Sequence, residues 1–86
     1  MPRIAEFFGI VVSMFYKDHA PPHFHAAYNE YEATITIDPI RILEGSLPRR
    51  VQSMVFEWAA LNQAELREEW NLACKREPLK KLPPLE

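Results

Sequence analysis

His19, His23 and His25 fall within seven consecutive positions of an 86-residue chain, in the stretch DHAPPHFHA (18–26). A His-x-His pair on a strand sets two imidazoles about 6–7 Å apart at the backbone, from the rise of about 3.3 Å per residue. That spacing lets His23 and His25 chelate a metal ion if a further ligand converges on them. His19 can return over the Pro21-Pro22 corner, and Asp18, Glu32 or Asp38 can add a carboxylate.

The same residues suit a second chemistry, without metal. Histidine titrates near neutral pH, so His19, His23 and His25 are candidate catalytic acids and bases. A metal-independent ribonuclease needs a base for the 2′-hydroxyl, an acid for the leaving oxygen and a cation for the phosphate. Lys17, Thr34 and Thr36, beside the histidines, and the separate basic pair Arg49 and Arg50 are candidate binding residues. The third reading is structural: histidines and threonines on a half-exposed strand, with two prolines stiffening a corner. No cofactor other than a metal ion is implied.

Short runs rich in Val, Ile, Phe, Tyr and Thr occupy the chain up to about residue 46, after which the spacing becomes helical. The runs predict strands over about 8–17, 23–28, 31–37 and 41–44. Val51, Met54, Val55, Trp58 and Leu61 share one helical stripe, with Ser46 and Pro48 as start signals. Leu66 and Trp70 leave that stripe, so two helices are expected, about 48–61 and 63–76, with Asn62 and Glu65 forming a variant capping box between them. Pro78 ends the second helix, and the tail 77–86 is expected to run extended along a sheet edge or a partner. The expectation is therefore one α+β domain: an antiparallel sheet of three to four strands packed on one or two C-terminal helices.

A two-residue turn at Asn29-Glu30 fixes which way the histidines point. It places Phe24 opposite Ile35 and Ala26 opposite Ala33 on an apolar face, with His23 opposite Thr36 and His25 opposite Thr34 on the other. A one-residue slip would turn the histidines onto the core. The preceding run, apolar on both sides, calls for cover on both faces, from the helices and from the tail or a second protomer. Trp58 and Trp70 are expected as core anchors, and Glu65, Glu68 and Glu69 as a solvated face.

Composition excludes several classes. A charged fraction of 26% and a net charge of −2 give no bulk attraction to nucleic acid. The single cysteine, Cys74, is expected to be an idle or packed thiol in a reducing compartment. No apolar run approaches the ~20 residues of a membrane span, and Glu6 breaks the only stretch resembling a leader. A cytoplasmic location is the expectation.

The stretches MPRIAEFFGIVVSMFYKDHAPPHFHAAY, EYEATITID, ILEGSLP, EWAALNQAELREEW and PLKKLPPL together resemble a family of small bacterial proteins. The family is catalogued as domain of unknown function four-one-six-zero. The resemblance covers almost the whole chain, with Asn29 standing where relatives often carry Gly. It implies no established activity and supplies no catalytic residues. Genes of the family often lie beside those of a second small family of unknown function (two-four-four-two), an arrangement that looks like a toxin–antitoxin module. The resemblance thus implies a protein-interaction component of a two-gene module, with a neighbour-encoded partner or a homodimer. A histidine-dependent ribonuclease acting on RNA and a His-x-His metal hydrolase are the alternatives.

Overall fold

The computed structural model describes residues 2–16 and 18–86. Five strands form one antiparallel meander in chain order: β1 (Arg3–Phe7), β2 (Ile10–Ser13), β3 (His23–Tyr28), β4 (Tyr31–Ile37) and β5 (Ile40–Ser46). Two helices follow, α1 (Arg49–Leu61) and α2 (Gln63–Cys74). The fold is the expected α+β class, with more strands than the three to four expected.

The extra strand comes from the N-terminal apolar run. The expected strand over 8–17 is instead a turn and β2, because Phe8 and Gly9 both take positive φ (51° and 79°) and reverse the chain there. That geometry suits a two-residue hairpin turn, and it brings Arg3–Phe7 into the sheet as β1. Phe8, carried to the tip, is 60% exposed. β2 then buries Ile10, Val12 and Met14 on the core face, while Val11 and Phe15 stay half-buried on the other.

The β3–β4 hairpin turns at Asn29 (φ 53°), and its register pairs His23 with Thr36, Phe24 with Ile35, His25 with Thr34 and Ala26 with Ala33. This is the pairing that the apolar alternation demands. β5 runs longer than the expected 41–44 and carries a bulge: Thr34 pairs with Glu44 and Ile35 with Ile42, leaving Leu43 unpaired. Such an extra residue bends the strand and re-aims its side chains. Beyond the bulge the two backbones close up at Gly45 (φ 80°), where an added Cβ would lie 2.2 Å from the Glu32 carbonyl oxygen.

The core fills between one sheet face and the helices. Phe24 and Phe7 pack on Trp58, with ring centroids 5.8 Å and 5.6 Å apart, and Trp58 is fully buried. Trp70 is likewise buried, so both tryptophans anchor the helices. The helix junction departs from the expected capping box. Asn62 turns its side chain back, and its Nδ2 donates to the Trp58 carbonyl at 2.8 Å, closing α1. No side-chain hydrogen bond caps the start of α2.

Glu69, expected on a solvated face, is 1% exposed. Its Oε1 accepts the backbone N–H of Lys80 at 2.8 Å, which draws the tail over α2. The tail continues to the sheet edge, where the Leu82 N–H donates to the Ile4 carbonyl at 2.7 Å. Cys74 is free and exposed. Among the described residues, no helix is long and apolar enough to cross a membrane.

Candidate functional site

Asp18, ahead of the Pro21-Pro22 pair, lies against the first residues of β3. Asp18 Oδ2 sits 2.8 Å from His23 Nε2 and 3.3 Å from His25 Nε2. The other carboxylate oxygen, Oδ1, accepts the His19 backbone N–H at 2.8 Å. The donor atoms of Asp18, His23 and His25 all lie within 4.8 Å of one another.

The hydrogen bonds on the far side of each ring decide what the near side can do. His23 Nδ1 lies 2.7 Å from the Pro21 carbonyl oxygen. A carbonyl only accepts, so Nδ1 carries the proton and donates. In the neutral ring the Nε2 lone pair then points at a carboxylate oxygen, two acceptors face to face. A cation between them, a proton or a metal ion, satisfies both. His25 is held in a similar way, its Nδ1 3.4 Å from Thr34 Oγ1. Outer nitrogens fixed on oxygen atoms with inner nitrogens converging is the outer-shell arrangement that metal-ligating histidines show.

Packing holds the rings in place. The His25 ring lies 4.2 Å from that of Phe15, and His23 sits edge-on to His25 at 5.2 Å and 5.1 Å from Trp70 of α2. The side chains of His23, His25 and Asp18 are 7%, 15% and 19% exposed. Burial pushes the Asp18 carboxyl up, but the His19 N–H and the contacts with His23 and His25 outweigh it, so the acid is held below its ordinary value.

A cleft of about 270 Å³ opens on this cluster, walled by Phe15, His19, Pro21, Thr34, Leu43 and Glu44 among others. A second hollow of about 420 Å³ shares Phe15, His25, Thr34 and Glu44 with it and extends to Glu32 and Gly45.

The candidate residues from the sequence divide accordingly. His23 and His25 meet, and of the three carboxylates offered as ligands the structure brings Asp18 to them. His19 lines the cleft, but its ring is outside the three-residue cluster. Thr34 touches His25, whereas the Thr36 hydroxyl is spent on the β4–β5 turn, donating to the carbonyls of Pro39 and Arg41. Arg49 and Arg50 stand exposed at the start of α1, at the end of the sheet that carries the Phe8-Gly9 and Asn29-Glu30 turns. Lys17 lies outside the described residues. Phe15, Leu43 and Glu44 were not singled out for the site; the β5 bulge that brings Leu43 and Glu44 to it leaves no mark in local composition.

The molecule is thus a small α+β meander with a compact Asp/His cluster whose histidines leave β3 on the side opposite Phe24 and Ala26, His23 packing on Trp70 at the margin of the core. The model of the family "Domain of unknown function (DUF4160)" matches residues 9–71, and the chain belongs to that family. No curated protein matches, and no solved structure matches.

Proposed function

We propose that Asp18, His23 and His25 form a divalent transition-metal centre of hydrolytic type. The observation that carries this reading is the Nδ1–H bond from His23 to Pro21, which in the neutral ring leaves the Nε2 lone pair aimed at the Asp18 carboxylate beside a second imidazole. Two nitrogens and one carboxylate oxygen suit zinc and its neighbours, and three protein ligands leave a position for water or substrate. A bound ion there supplies Lewis acidity and a water that ionises near neutral pH. The chain's own part is to hold the ligands: Pro21 and Thr34 fix the two rings, and the His19 N–H anchors the free carboxylate oxygen.

Equilibrium dialysis against zinc and cobalt, followed by metal quantification, tests the reading. Stoichiometric binding that is lost in Asp18→Ala, His23→Ala and His25→Ala is expected, together with zinc-dependent hydrolysis of p-nitrophenyl acetate. A folded chain that takes up neither metal overturns it and leaves a hydrogen-bonded His–Asp cluster in its place.

A protein-interaction role in a two-gene module is a second reading, and a different part of the molecule supports it. Phe8, Tyr28, Pro48, Val51 and Met54 line a largely apolar groove of about 500 Å³ with Arg50 at its rim. Co-purification with the product of a neighbouring gene, weakened by Phe8→Ser, is the expected outcome. Wild-type chain that fails to bind that product overturns it.

A further inference from the structure

We infer that the ligand of this centre carries a positively charged organic group, an ammonium or guanidinium, seated between Phe15 and the carboxylates of Glu32 and Glu44 beside the metal. The inference rests on the metal reading above and names the substrate class of the same site.

The register puts Ser13, His25, Thr34 and Glu44 in one row across four neighbouring strands. Glu32 lies two residues along β4 from Thr34, so it shares the face. The two hollows meet at Phe15, His25, Thr34 and Glu44, and together make one groove running from the Asp18 cluster to Glu32. Among the described residues, neither Glu32 nor Glu44 is ion-paired: the ion pairs are Arg3–Glu6, Arg67–Asp38, Lys80–Glu68 and those of Asp18 with the histidines. No described lysine or arginine lines either hollow.

Charge then selects the ligand. A divalent ion with the Asp18 carboxylate and two neutral imidazoles leaves the centre at +1. Glu32 and Glu44 turn the lining contributed by the described residues negative, which disfavours a phosphodiester and favours a cation. Phe15, its ring already packed on His25, offers an aromatic face to the same cation. Spacing sets the length of the ligand. Two inter-strand steps of about 4.8 Å separate His25 from Glu44, so about six methylene-type atoms bridge metal and carboxylate.

Hydroxamates that ligate cobalt through one end test this directly, read by the visible absorption of the cobalt-loaded protein. The probes are ω-aminohexanohydroxamate, hexanohydroxamate and the monohydroxamate of adipic acid. At low ionic strength the amino compound is expected to bind about tenfold more tightly than the neutral one, with the acidic one weakest. In Glu32→Gln/Glu44→Gln the ratio of amino to neutral affinity is expected to collapse towards unity. Cobalt bound normally with no preference for the amino compound, or with preference for the acidic one, overturns this inference and spares the metal reading. A preference that survives the double substitution overturns the assignment to the two carboxylates. Failure to bind cobalt overturns both.

Discussion

The indole N–H of Trp58, in the last turn of α1, donates to the carbonyl oxygen of Pro83 at 2.8 Å, tying the core to a residue 25 positions later in the chain. The tail is therefore part of the fold, with Leu79, Leu82 and Leu85 packed on the core. Trp58→Phe keeps an aromatic ring against Phe7 and Phe24 but loses the donor, and is expected to lower stability by about 1–3 kcal/mol in urea unfolding, the hydrogen bond and the lost ring volume together. Deleting residues 79–86 is expected to cost more, because the leucine contacts and the Lys80 and Leu82 backbone bonds leave with it.

Glu69 gives one pH dependence, opposite in sign to that of Asp18. Burial raises its carboxyl above the ordinary 4.5, against the opposing pull of the Lys80 N–H. The folded chain therefore holds this proton to higher pH than the unfolded chain does. The contribution to stability is full below about pH 4.5 and is lost as pH rises through the folded value. Glu69→Gln keeps the acceptor for Lys80 and carries no charge. Its stability relative to wild type is expected to be higher near pH 7 than near pH 4, as measured by urea titration at both; an equal difference at both would show that burial of the charge is not what matters.

Gly45 has no substitute. A Cβ at that position meets the Glu32 carbonyl at 2.2 Å, on a backbone with φ of 80°. Gly45→Ala is expected to cost about 2 kcal/mol or more, as a drop in melting temperature, since neither strand can yield without breaking the β4–β5 ladder. Gly9, with 3.5 Å to the nearest Tyr28 ring atom, escapes the collision and carries only the backbone strain.

A metal that binds the folded chain must also stabilise it. Zinc at about 100 times its dissociation constant is expected to add about 2.7 kcal/mol, read as a rise in melting temperature that chelation reverses. His25→Ala is expected to show no rise. Thr34 acts through His25 as a positioning residue. Thr34→Val is expected to weaken zinc binding about tenfold, and Thr34→Ser to restore it, whereas a merely packing role predicts the reverse order.

The sequence is most legible where alternation and sterics act over short range. Phe24, Ala26, Ala33 and Ile35 announce their shared face, and with it the side on which His23 and His25 emerge. The N-terminal hairpin is hidden because Phe8 is a poor residue for positive φ, so the near-continuous apolar run FFGIVVSMFY reads as one strand. Glu69 looked solvated because helical spacing cannot foresee a tail folding back over it. The three donor atoms came together for a similar reason: His-x-His was visible, but choosing Asp18 over Glu32 and Asp38 depended on the path through Pro21-Pro22. Leu43 and Glu44 reach the cleft only by virtue of a bulge, which no local pattern reports.

The three proposed ligands lie within one stretch of eight residues, 18–25, while the hollow that extends from them to Glu32 and Gly45 is walled largely by β4 and β5. Under the proposed reading, reactivity and selectivity fall to different portions of the polypeptide. The side chains at 32, 43 and 44 can be exchanged without disturbing the ligand loop. A chain built this way can retain one chemistry while changing what it acts upon, and exchanging residues 32, 43 and 44 between relatives, with Thr34 kept against His25, is the natural way to transfer the preference.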